Sequence, residues 1–424
     1  MIKIENSDKY TAFGGIHLIH EQLCSKKIPQ FINEQLGERK PNAMYRYSDL
    51  FLGYSYIVLC GGDCAEDVNF LSATFQRLKG MKTASPDTLL AMQKELSTPA
   101  EEISAENTIN KININDRLNA LNIKTALFLG VLNATEKNYC LDFDQQLIPT
   151  EKYDATYGYK KERGYFPAVA SIDNLPVYVE NRNGNCSVKF RQLETLKRAL
   201  TLLKENGITP RYARMDCGSY MKDVCEYLDE EGITFYIRAE QSEQMLFEAS
   251  LIENWEKAEI GFRDYEVACM PYRFGARTFR IVAYRWPNKT GQINIITADA
   301  NNYLFILTND ETKIAKEVIE FYNNRGNSER LFDIQNNDFN WKKMPFSFLE
   351  QNTVYLLLMA FCHILYRWII RIFSKCCSFL QPKDRLKKFI FRLVCIPAKV
   401  IRSGHRTIVK LFSPHLNAAM LNSS

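Results

Sequence analysis

Tyr322, Arg325 and Glu329 stand at spacing i, i+3, i+7 inside residues 314–340, a segment whose apolar pattern predicts one long helix. That spacing puts a phenol, a guanidinium and a carboxylate on one helical stripe, a set suited to handling phosphate. Upstream, Asp144 and Asp216 each close a strand-like apolar run. Three acids brought together from distant segments can hold divalent metal ions. Two such ions roughly 4 Å apart activate an attacking water or hydroxyl and stabilise the leaving oxygen of a phosphodiester. Positioning and charge neutralisation then supply most of the acceleration. Asp142 and Asp144 are two apart in one strand and project from the same face, so either is open as the first acid. Taken singly, each Asp reads as a turn or cap residue. Arg325 and Glu329 alone read as an i, i+4 surface pair worth a few tenths of a kcal/mol. The case rests on the set.

The elements that must position these groups follow from periodicity. Residues 8–120 read as mostly helical. Ser85-Pro86-Asp87-Thr88 is a helix start with Ser as N-cap. The helix it opens, 87–96, fits either a helix-turn-helix reader or a plain bundle helix. Residues 98–115 are polar and read as a loop before a helix over 116–130. From about residue 138 the pattern alternates. Strands are predicted at 139–144, 167–172, 175–179, 211–216 and 234–238, with helices at 191–206 and 220–232. That order, three strands as a meander and then strand-helix alternation, matches a ribonuclease-H-like sheet. Residues 245–308 read as nearly all strand, at 265–270, 278–284, 292–297 and 303–307, a β-rich insertion before the helix that carries Glu329. The predicted class is α/β. It has a helical region at 1–130, a ribonuclease-H-like core at 131–244 and 309–365, the insertion at 245–308, and a basic helical C-terminal region at 366–424.

Composition is that of a globular chain: 424 residues, 46% apolar and 24% charged, with 22 Tyr and 26 Phe, enough to bury a large core. Twelve Cys are scattered with no CxxC pair; Cys60 and Cys64 form a CxxxC without a second half-site. Reduced thiols in a cytoplasmic protein are the better reading. The first ten residues are polar, which does not indicate secretion. The apolar run 354–370 is interrupted by His363 and Arg367 and falls short of the roughly 20 clean apolar residues of a membrane span, so a buried helix is expected and no membrane partner. The net charge of +5 divides unevenly: residues 367–410 carry twelve Lys/Arg and one acid, Asp384. A basic block on an acidic body points to a polyanion partner or to a solvated basic surface. No Walker loop is present, and the five His (His17, His20, His363, His405, His415) lie outside the α/β region, against a histidine-based site.

These residues resemble the DDE transposases of bacterial insertion sequences, in the branch marked by Tyr-x2-Arg-x3-Glu-x6-Lys. The match is Tyr322, Arg325 and Glu329, with Asn336 where the family has Lys. The first acid falls in Leu141-Asp142-Phe143-Asp144, assigned to Asp144 with Asp142 in reserve. The second falls on Asp216, in Arg214-Met215-Asp216-Cys217-Gly218, an Arg-x-Asp-small-Gly context. Residues 158–167 look like the family's link between the first two strands. The resemblance implies that Asp144, Asp216 and Glu329 hold two Mg²⁺ ions, with Mn²⁺ able to substitute. It further implies that Tyr322, Arg325 and position 336 contact DNA. Implied partners are double-stranded DNA, as terminal inverted repeats and target, and a second copy of the chain in a synaptic homodimer. The implied location is the bacterial cytoplasm, at the nucleoid. The implied reaction is metal-dependent cleavage at element ends followed by strand transfer. Two other readings stand beside it: a nuclease that cuts without rejoining, and a transposase-derived DNA-binding protein without catalysis.

Overall fold

The computed structural model describes residues 2–3, 7, 9–105, 108–403 and 406–412. Its centre is one mixed sheet of eleven strands: β1 (Glu101–Ala105), β2 (Thr108–Asn113), β3 (Cys140–Gln145), β4 (Ala168–Ile172), β5 (Leu175–Arg182), β6 (Tyr212–Met215), β7 (Thr234–Arg238), β8 (Glu256–Ile260), β9 (Arg263–Phe274), β10 (Arg277–Pro287) and β11 (Asn301–Thr308). Their spatial order is β8-β9-β10-β11-β7-β6-β3-β4-β5-β2-β1. The middle of the sheet is the predicted meander and alternation. β3, β4 and β5 pair antiparallel, whereas β6 lies parallel to both β3 and β7. The parallel strands are joined through crossover helices, as a parallel connection requires. The chain therefore has the expected α/β class.

The helices of eight or more residues among the described residues are numbered in chain order. α1 (Gly15–Ser25), α2 (Ile28–Leu36), α3 (Tyr47–Leu59), α4 (Asp67–Phe75), α5 (Pro86–Glu95) and α6 (Asp116–Phe128) precede β3. α7 (Gln192–Glu205), α8 (Lys222–Glu230) and α9 (Glu243–Ser250) follow β5. α10 (Ala315–Asn323), α11 (Gly326–Asn337) and α12 (Leu349–Cys376) follow the sheet. α12 is the apolar helix read from 354–370. It is long and apolar enough to cross a membrane, yet 83% of its most apolar window is buried inside the fold, against α3, α5, α6 and β5. α5 begins as read, with Ser85 Oγ accepting from the Thr88 amide. It buries Leu89 and Met92 against α3 and α12, so it packs as a bundle helix.

Three expectations are corrected. The polar stretch at 98–115 is no loop: β1 and β2 form a hairpin that adds to β5 at the sheet edge, so 1–130 is not purely helical. The insertion at 245–308 joins the central sheet. β11 pairs with β7, and β8 to β11 extend the central sheet, because unpaired strand edges bond to any strand offered in register. No strand forms at 292–297, where Asn294 and Asp299 close turns with their side chains. The basic C-terminal region is only partly helical: α12 runs on to Cys376 and helical turns follow at Leu386–Phe389 and Ile390–Val394, but strands come next. Ala398–Ser403 and Arg406–Leu411 form a hairpin, and Tyr10–Thr11 pairs with its first strand. Val400, Ile401, Thr407, Ile408 and Val409 explain this, being β-branched residues that fit a pleated surface. Residues 404–405 and 413–424 of that region lie outside the described residues.

Candidate active site

The acids are placed by the ends of adjacent strands. Asp144 is the penultimate residue of β3, and Asp216 follows the last residue of β6. β3 and β6 are parallel neighbours, with Asp142 beside Arg214 and Phe143 beside Met215. Both acids thus reach the same carboxyl edge, where open α/β sheets present ligands. Asp216 begins a single 3₁₀ turn and accepts the Gly218 amide on Oδ1 at 3.0 Å. A Cβ on Gly218 would come within 2.3 Å of Val188 Cγ1, so the turn needs a residue without a side chain.

Glu329 arrives differently from the expectation. The segment 314–340 is not one helix: it breaks at Asn324–Arg325, between α10 and α11. Asn323, Asn324 and Gly326 are poor helix formers, and the Arg325 amide donates to Tyr322 O in a tight i, i+3 turn. Tyr322 therefore ends one helix and Glu329 starts the next. Arg325 sits at the joint. It reaches back to Asp144, with Nη1 3.2 Å from Oδ2, and forward to Glu329, with Nη2 3.8 Å from Oε1. Its guanidinium is largely buried, whereas the Glu329 carboxylate is 78% exposed.

Asp144 lies in the field of both other acids. Burial raises the Asp144 pKa, the negative charges of Asp216 and Glu329 raise it further, and Arg325 and the Gln145 amide oppose them; the result is about 6. Like charges gathered this way disfavour ionisation and favour a cation. The donors are carboxylate oxygens, the set hard divalent ions prefer. The three acids do not draw as close together as Asp63, Cys64 and Asp67, which form the one compact group of potential ligands among the described residues.

Asp142, held in reserve as the first acid, has another task. Arg214 binds it with two hydrogen bonds, Nε to Oδ1 at 2.7 Å and Nη2 to Oδ2 at 2.8 Å, and donates its Nη1 to Phe321 O. Both side chains are buried. This pair bolts β3 to β6 and to the end of α10, and it occupies both carboxylate oxygens of Asp142 with Arg214. Tyr322 is buried at 7% exposure among Tyr236, Val282, Tyr284, Ile306, Val318 and Ile319. Its hydroxyl has no hydrogen-bond partner but lies in the field of Arg325, Arg238 and Asp216. Asn336 is also buried, and donates its Nδ2 to Gln146 Oε1 at 2.7 Å, so this residue is turned inward.

Two residues at the site carried no flag in the sequence reading. Arg214 appeared only as context for Asp216, although its register beside Asp142 follows from the parallel pairing of their strands. Arg238 ends β7 at the same sheet edge. It lines a cavity of about 540 Å³ together with Trp286, Asn302 and Tyr303 of the adjoining strands. A strand-end position was the available signal for both.

Residues 6–424 match a family model described as transposase DDE domain, group 1. Among solved structures, the chain is similar to one described as "Cryo-EM structure of piggyBac transposase synaptic complex with hairpin DNA (SNHP)". The identity is 11% and the TM-score 0.41, with 90% of this chain and 78% of that chain covered. No curated protein matches the chain.

Proposed function

We propose, from the premise that this chain belongs to the transposase DDE domain family, group 1, that it is the transposase of a bacterial insertion sequence. In this reading it binds the inverted repeats of its own element, cuts DNA there and joins the freed ends to target DNA. Its acids are Asp144, Asp216 and Glu329, and it belongs to the branch with the Tyr-Arg-Glu signature. The central strand order β5-β4-β3-β6-β7 supports a ribonuclease-H-like core. The observation that carries the assignment is the Asp144 carboxylate, which feels Asp216 and Glu329 at once while Arg325 holds it.

Asp144, Asp216 and Glu329 would hold divalent ions, two Mg²⁺ or Mn²⁺ in this proposal. Bound there, such ions acidify an attacking water or hydroxyl and stabilise the departing oxygen. The remaining work falls to the protein's own residues. Arg325 offsets the repulsion between Asp144 and its neighbours, which keeps Asp144 aimed at the site before any ion arrives. The Asp142–Arg214 pair fixes the height of β3 against β6, and so the relative placement of Asp144 and Asp216. Gly218 lets the Asp216 turn close over Val188. Exposed Glu329, beside a helix joint, is the acid free to adjust when substrate binds. Arg238 would meet a backbone phosphate by bidentate hydrogen bonds, while Arg325, engaged with Asp144 and Glu329, would contribute its charge. The N-terminal helices and the basic C-terminal hairpin would grip the duplex, and two copies would act together on paired ends in the bacterial cytoplasm.

The test is Asp216→Asn. The variant should bind DNA carrying the element ends as well as the native protein does, and should lose Mg²⁺-dependent cleavage by at least about a thousandfold, as loss of a charge-stabilising group at the reacting centre implies. Undiminished cutting defeats the assignment.

A further inference from the structure

Between α11, α12 and the 382–385 segment lies a second charged cavity, of about 300 Å³. It is bounded by Arg330 and Ile334 of α11, His363 and Arg367 of α12, Asn174 in the β4–β5 turn, and residues 382–385. Its acids are already committed. Asp338 takes Nε of Arg385 at 2.8 Å, and Asp384 takes Nζ of Lys388 at 2.6 Å. Three cations remain: Arg330, Arg367 and Lys383. Among the described residues, none of them has an acidic oxygen within the 4.0 Å of an ion pair. Arg367 is the most telling, because its Nε is buried and has no hydrogen-bond partner. Burial lowers its pKa, and the charges of Arg371 and Arg330 lower it further, against the pull of Asp173.

A half-buried guanidinium whose Nε is sealed from water without a partner is costly, and it faces the exposed Arg330 and Lys383 rather than an acid. A planar five-donor cation beside a second one is also the arrangement that binds phosphate by paired hydrogen bonds. We propose that the Arg330–Arg367–Lys383 cavity is a phosphate-binding site, separate from the acid cluster, for a phosphate group that supplies the missing counter-charge. Arg330 directly follows Glu329 in α11. A phosphate seated there ties α11 to α12 and to the 382–385 segment, and so steadies the helix from which the exposed Glu329 projects. The phosphate belongs either to a nucleic-acid backbone or to a free anion. The site does not depend on the transposase reading, since the chemistry recognised is the phosphate itself.

The experiment uses the full chain and inorganic phosphate, with chloride at matched ionic strength as control. Phosphate should raise the melting temperature saturably. Arg367→Met and Arg330→Gln should each weaken its affinity by about tenfold or more, the cost of a lost charge-assisted bond. Without phosphate, Arg367→Met should melt at or above the native temperature, because it removes a half-buried charge that has no acidic partner; a purely structural Arg367 would make the variant melt lower. The proposal is overturned if the native chain responds to phosphate no more than to chloride, or if an R330Q/R367M chain keeps the response. A short DNA duplex then separates the sources. A salt dependence of binding shallower by about one phosphate contact in Arg367→Met identifies backbone phosphate. Unchanged duplex binding with a lost phosphate response identifies a free anion. A chain that binds phosphate but no DNA would remove the proposed function and leave this site standing.

Discussion

Arg325 and Asp144 are 181 residues apart in the chain and meet at 3.2 Å. The contact joins the break between α10 and α11 to the end of β3. It holds a carboxylate that two other acids push towards protonation, so one cation supports the whole acid cluster.

Replacing Arg325 should therefore show itself as a shift in pH dependence. Arg325→Ala should move the Asp144 pKa above its value of about 6, displacing the acid limb of metal-dependent DNA cleavage to higher pH. Arg325→Lys should restore part of the shift, because it returns the charge without the fork. A cleavage profile on the pH axis checks this; an unmoved limb contradicts it.

Asp144 itself should limit stability at neutral pH. Its folded pKa, about 6, lies above the ordinary 3.8, so the folded chain holds the proton more tightly than the unfolded chain. Stability from this group is fully present below about pH 4 and is lost as pH rises through about 6. Asp144→Asn should consequently stabilise the metal-free chain at pH 8 by on the order of 2 kcal/mol, and hardly at all at pH 4. Urea unfolding at the two pH values measures the difference. Cation binding should offset the same penalty, so added Mg²⁺ should stabilise the native chain more than the variant.

Asp142 should behave in the opposite way. Asp142→Ala leaves buried Arg214 without its partner and should destabilise the fold by about 3–5 kcal/mol. Asp142→Leu combined with Arg214→Met should recover much of that loss, since no stranded charge remains. Denaturation midpoints of the single and double variants decide it. A loss in the double variant equal to the sum of the two single losses would show that the pair contributes no coupling.

Gly218→Ala should cost about 1–3 kcal/mol by overpacking and reduce cleavage by displacing Asp216, because its new methyl meets Val188 Cγ1. Val188→Ala in the same chain should relieve both effects. Melting temperature and cleavage rate, measured together, test the explanation; a rescue of stability without activity would separate the fold of this turn from its role in the site.

Local, periodic features were legible in the residues alone. Alternation placed β3, β4, β5, β6 and β7, and helical spacing placed α7, α8 and α12, because one buried face imposes a period on each element. Asp144, Asp216 and Glu329 were legible as strand-end and helix acids, and the family match over residues 6–424 agrees with the resemblance read from Tyr322, Arg325 and Glu329. Tertiary structure alone decided the rest. Asp142 and Asp144 share a face and a residue type, and only the neighbouring strand, by bringing Arg214 beside Asp142, separated a structural carboxylate from a candidate ligand. Position 336 follows the signature spacing, but packing against Gln146 turned Asn336 inward. Where the β-rich insertion attaches was decided by the free edge of β7, on which β11 and then β10, β9 and β8 were laid. Each of these outcomes depends on which distant segment occupies the adjoining space, and local periodicity carries no information about that.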